Sequence, residues 1–103
     1  MKVADILDLM AMKLKVLAER GELRDYFDVK EIEERAGVSL EDGIALFRER
    51  YGLDQANPAI RELIVALGYL DDCEEDESLP MSKLELADWW SKRQAKLIRN
   101  LGR

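Results

Sequence analysis

Apolar residues recur three and four positions apart along most of this chain, the period of helices buried on one side. The first such segment runs from about Val3 to Arg20, has no internal glycine or proline, and meets Gly21 as a stop. A second, about Arg24 to Ala36, ends at Gly37. Ser39 then reads as an N-cap with Asp42 three residues on, opening a third helix from about Leu40 to Tyr51 that stops at Gly52. Asn57-Pro58 pairs a cap residue with a first-turn proline, and that fourth helix ends near Leu67, before Gly68. Within it, Ile64 to Leu67 taken alone fits a short strand, but Ile60, Ile64 and Leu67 share a helical spacing. Ser82 with Glu85 is a full capping box, and its helix runs to about Leu101. The pattern predicts an all-α bundle of about five helices, with Tyr69 to Met81 as its longest non-helical stretch.

At 103 residues the chain has the length of one domain, 1–103, and no run of apolar residues is long enough for a membrane span. The acidic, short N-terminal stretch is unlike a signal peptide, which predicts a cytoplasmic protein. Histidine is absent, which removes Ser-His-Asp triads, histidine bases and histidine-bound metals. Cys73 is the single cysteine, so neither an internal disulfide nor a cysteine metal cluster can form.

Charge is uneven. Residues 1–20 sum to +1, residues 21–80 to −11 and residues 81–103 to +4, for a net charge of −6. This balance and the lack of a recognition helix disfavour nucleic acid as a partner. Lys92, Arg93, Lys96, Arg99 and Arg103 in the last segment have the chemistry to touch RNA, but such bases also suit a helix C-terminus. The run Asp71 to Glu77 holds six acids in seven residues and reads as a solvated loop. Its like charges should raise the Cys73 thiol and keep it unreactive.

The first helix carries the candidate chemistry. With Lys13 at zero on a helical wheel, Ile6, Leu17, Met10, Val3, Leu14 and Leu7 fall from about +20 to +120 degrees. Leu9, Val16 and Met12 fall from about −40 to −100 degrees, with Arg20 near −20 degrees. Lys13 and Arg20 therefore lie inside a wide apolar arc, where an unpaired cation is costly. An ion pair at the core edge and an anion site or docking face both answer that cost. The breadth of the arc suits a central bundle helix, or one with a side left for another subunit. Leu9, Met12 and Val16 are the interface candidates there, together with Trp89 and Trp90. The adjacent tryptophans diverge by about 100 degrees, so one can enter the core while the other stays partly exposed. Asp25, Asp28, Val29, Ile32 and Ala36 share a face of the second helix, and Gly21-Glu22-Leu23 closes a hairpin that brings Asp25 and Asp28 towards Arg20 and Arg24. An internal salt-bridge cluster and part of an anion or nucleotide site, with Lys13, Arg20 and Arg24 as its cations, are both open. Phe47, Tyr51, Ile60, Leu63, Ile64 and Leu67 read as core.

The stretch Met12 to Val29 resembles the C-terminal half of the AbiEii-like nucleotidyltransferase toxins of abortive-infection and toxin–antitoxin pairs. Lys13 and Leu14, then Arg20, then Arg24, Asp25 and Asp28 match the family pattern in order and spacing, with Val16 where the family has alanine. Ser39-Leu40-Glu41 with Ala45, Arg48 and Tyr51, the stretch Leu67 to Glu74, Leu79-Pro80 and the two tryptophans extend the likeness over about 3–99. The family's catalytic core, with its Gly-Ser element and metal-holding acids, has no counterpart in these residues. The resemblance implies a helical half without catalysis in isolation, acting as a homo-oligomer or on a separate nucleotidyltransferase-like chain. In a split enzyme it implies that Lys13, Asp25 and Asp28 complete a site whose Mg²⁺ and nucleotide are held by that other chain; otherwise no cofactor is expected.

Overall fold

A computed structural model of the protein describes residues 3–52 and 58–101. Its helices are α1 (Val3–Arg20), α2 (Leu23–Ala36), α3 (Leu40–Arg50), α4 (Pro58–Leu67) and α5 (Lys83–Leu101). No strand occurs among the described residues, and Ile64 to Leu67 is helical. The expected boundaries agree to within a residue at each end that is described; the Asn57 cap lies outside the described residues. None of the helices is long and apolar enough to cross a membrane.

Local chemistry sets the helix ends. The Ser39 hydroxyl accepts the Asp42 N–H at 3.1 Å. Ser82 and Glu85 close a reciprocal box, each backbone N–H donating to the other's side chain at 3.1 Å. Asp25 accepts the Glu22 N–H at 2.9 Å and so caps α2 from inside its first turn. Gly37 and Gly52 stand at φ 71° and 64°, left-handed stops that favour glycine. Gly21 and Gly68 serve differently: a Cβ would meet Leu17 Cδ2 at 2.4 Å in one and Gln94 Oε1 at 2.2 Å in the other.

α1 is the hub, packed on α3, α2 and α4, while α5 closes over α4, α2 and α3. Met10, Leu14 and Leu17, at helical spacing, are buried against Ile44 and Phe47 of α3, Leu63 and Leu67 of α4, and the α2 row Leu23, Tyr26 and Val29. α3 approaches α1 closely because position 43 is glycine: a Cβ there would lie 2.3 Å from Met10 Sδ and 3.4 Å from Leu14 Cδ1. Met10 is fully enclosed and has little room to retreat. Gly43→Val is therefore expected to destabilise the fold by about 1–3 kcal/mol despite valine's better helix propensity, read as a lower urea midpoint at unchanged slope.

Three expectations need correction. Trp90 is not an interface residue: it is 0 % exposed at the centre of the bundle. Its indole N–H donates to the Tyr26 carbonyl at 3.2 Å, and the Tyr26 hydroxyl donates to the Ala66 carbonyl at 2.9 Å, linking α5, α2 and α4. Tyr51 is not core. It caps α3 with its ring exposed, tilted against Phe47 and beneath the Lys15 ammonium. The acidic run is not wholly solvated, because Leu70 and Cys73 turn inward and anchor it, with Sγ 3.6 Å from the Gly21 carbonyl. Lys83 adds two more ties, its Nζ to the Asp71 carbonyl and its backbone N–H to Glu75, both at 2.9 Å.

Candidate functional site

Because the Gly21-Glu22 turn is short, α1 and α2 run side by side, and Lys13 meets both α2 aspartates. Its Nζ lies 3.0 Å from Asp28 Oδ2 and 3.4 Å from Asp25 Oδ1. The Lys13 side chain is 27 % exposed. The hydrogen bond that Lys13 donates to Asp28 raises its pKa, burial opposes that, and Asp25 adds to the rise. Asp25 is used at both oxygens, one on Lys13 and one on the Glu22 N–H. The cluster thus answers the cost of a cation in the apolar arc from within the chain. A phosphate approaching Lys13 would meet two carboxylates first. Lys13→Met should strand those carboxylates side by side and cost about 1–2 kcal/mol, less than a fully buried pair because Asp28 reaches water. Urea titration of the variant checks this.

The other candidate cations do not join Lys13 among the described side chains. Arg24 is exposed and points to the acidic loop, donating to Ser78 Oγ at 3.1 Å and standing 3.8 Å from Asp76. The side chain of Arg20 lies outside the described residues.

A second polar cluster joins α2, α3 and α5 around Arg93, one of the bases with the chemistry to touch RNA, which the fold instead holds in internal ion pairs. Arg93 is 10 % exposed at its side chain and forks onto Glu33, with Nε to Oε1 at 2.6 Å and Nη2 to Oε2 at 2.9 Å, while also pairing with Glu41. Glu33 accepts the Leu40 N–H at 2.6 Å, and Asn100 donates to Glu41 at 2.7 Å. Burial pushes the Glu41 carboxyl up, but hydrogen bonds from Arg93 and Asn100 outweigh it and hold the group at about 2. The signal was available: Arg93 is three, four and seven residues from Trp90, Leu97 and Leu86, all on the core face of α5.

A cleft of about 1110 Å³ lies between the α1–α2 turn and the acidic loop. Tyr26, Tyr69, Ala66 and Cys73 contribute to its lining, acids crowd its rim, and Arg24 is the one base among its described lining side chains. Burial pushes the Tyr26 phenol up to about 12 and the Cys73 thiol above its ordinary value. For Cys73, burial exceeds the like-charge effect that the acidic run alone implies. The perturbed acids Asp76 and Glu85 move down on hydrogen bonds from Ser78 and Ser82. Each perturbed group moves away from neutrality, opposite to the tuning of acid–base catalysts. Among the described residues, no three His, Cys, Asp or Glu side chains converge as a metal cage.

On the side of α1 away from the core, Leu9, Met12 and Val16 are exposed at 38 %, 62 % and 40 %. Ion pairs formed within the chain border this stripe. Lys13 with Asp25 and Asp28 flanks one edge; Lys15 with Glu19, and Asp8 with Arg50, flank the other. Trp89, the remaining interface candidate, is half-buried, edge-on to Trp90 at 5.0 Å with the Lys30 ammonium above its ring. Comparison with family models, curated proteins and solved structures gives no match for this chain.

Proposed function

We propose that this chain is a non-catalytic helical module that works by contact with another protein chain through the outer face of α1. The observation that carries this reading is the stripe Leu9, Met12 and Val16, apolar and exposed between charges that are already paired. Covering it removes apolar surface from water and leaves the flanking ion pairs intact, the composition of an interface core with a polar rim. The direction of the perturbed pKa values supports the absence of acid–base chemistry. The test is recovery of bound chains, including untagged copies of this one, from native extract on wild type, Met12→Glu and Val65→Glu. Val65 is a comparably exposed apolar residue on α4. A chain held by wild type and Val65→Glu but lost from Met12→Glu is expected. The same recovery with all three proteins would overturn the reading.

A second reading rests on the meeting of Lys13, Asp25 and Asp28, as the resemblance to nucleotidyltransferase toxins implies for a split enzyme. A separate chain would hold Mg²⁺ and nucleotide, and Lys13 would have to leave its aspartates to reach them. That reading requires a recovered nucleotidyltransferase-like chain whose transfer activity falls with Lys13→Ala while the complex persists.

A further inference from the structure

Given that α1 is a contact face, the spacing and charge of its exposed side point to a particular occupant. Leu9, Met12 and Val16 follow each other by three and four residues, an a–d–a seam. Asp5 and Glu19 continue the seam one step beyond each end, and Asp8 and Lys15 sit one heptad apart on the same flank. Both flanking side chains remain about two-fifths exposed.

We infer that a second copy of this chain covers the face, its α1 antiparallel across a two-fold axis at the level of Met10 and Ala11. In that register Leu9 packs on Met12 of the partner subunit, and Met12 on Leu9 of the partner subunit. Asp8 stands opposite Lys15 of the partner subunit, and the reciprocal pair repeats it, as two-fold symmetry requires. Asp5 falls beside Val16 of the partner subunit, at the wet end of the seam.

Charge selects this arrangement over its alternatives. A parallel pair stacks Asp5 on Asp5 and Glu19 on Glu19. The other antiparallel register sets Lys15 against Lys15 and presses Leu9 on Glu19. The register with Leu9 on Met12 also places Val16 beside an acid, at its wet end, but it sets acid against base on the flank where the other sets lysine against lysine. The seam spans only two turns, well short of the roughly 800 Å² per partner of a standard interface, so the dimer is weak and in exchange with monomer.

Disulfide trapping tests the register. Leu9→Cys and Met12→Cys are prepared singly, mixed, and oxidised slowly; the native Cys73 is buried and does not compete. The mixture is expected to give a cross-linked heterodimer several-fold faster than either variant alone, and Lys15→Glu in both chains should slow it, with Asp8→Lys added restoring the rate. Equal rates for mixed and single variants, or no cross-link at all, would overturn the antiparallel pair. If Met12→Glu still loses a different recovered chain, the contact role of α1 survives that outcome.

Discussion

Trp90→Ala is expected to be the most damaging single change, costing about 3–5 kcal/mol and leaving the protein largely unfolded at physiological temperature. The indole is fully enclosed. Its ring is edge-on to Tyr26 at 5.8 Å and to Trp89 at 5.0 Å, and its N–H serves the Tyr26 carbonyl. Alanine removes the apolar area, leaves a cavity that rigid neighbours cannot fill, and takes a second hydrogen bond from a carbonyl otherwise used only within α2. Trp90→Phe separates these effects. It retains most of the packing and loses the donor, so a cost of about 1–2 kcal/mol is expected. Chemical denaturation followed by helix signal and by Trp89 fluorescence measures both.

The second large effect concerns Arg93. Removing the guanidinium leaves Glu33 and Glu41 facing each other with little access to water, and Arg93→Met should cost about 3–5 kcal/mol. Glu41→Gln should cost less, because Arg93 keeps its fork on Glu33. The same cluster sets an acid dependence. Glu41 is held at about 2 in the fold against an ordinary 4.5. Its folded value is the lower one, so its contribution is complete above pH 4.5 and is lost as pH falls towards 2. Screening by the water that reaches this carboxylate reduces the stability at stake to about 1–2 kcal/mol. Denaturation midpoints measured across that window should fall steeply in wild type and more gently in Glu41→Gln. Equal slopes would contradict the role given to Glu41.

Much of this architecture is legible in the sequence because the helices announce their own ends. Ser82 with Glu85, Ser39 with Asp42, and the left-handed Gly37 and Gly52 are local signals, satisfied within a turn of chain. The wheel also marks Lys13 as misplaced, and α2 supplies its partners across a turn too short to place them elsewhere. What resisted reading was long-range. Arg93 shares a face with Leu97 and Trp90, but its partners lie 60 and 52 positions away, on α2 and α3. Gly43 sits mid-helix with no local signal, and its reason is a methionine on another helix. Cys73 and Leu70 lie beside and within an acidic run whose average character hides two buried side chains. Tyr51 matches the apolar period of α3 but falls just past its last turn, where the core has ended.

Sedimentation velocity of wild type and Met12→Glu, from low micromolar to near millimolar concentration, bears most directly on the contact face of α1. Wild type should move with rising concentration towards twice the protomer mass, while Met12→Glu, folded and equally helical, stays a monomer throughout. Wild type that remains monomeric at the highest concentration, or a Met12→Glu variant that associates just as readily, would contradict a self-associating α1.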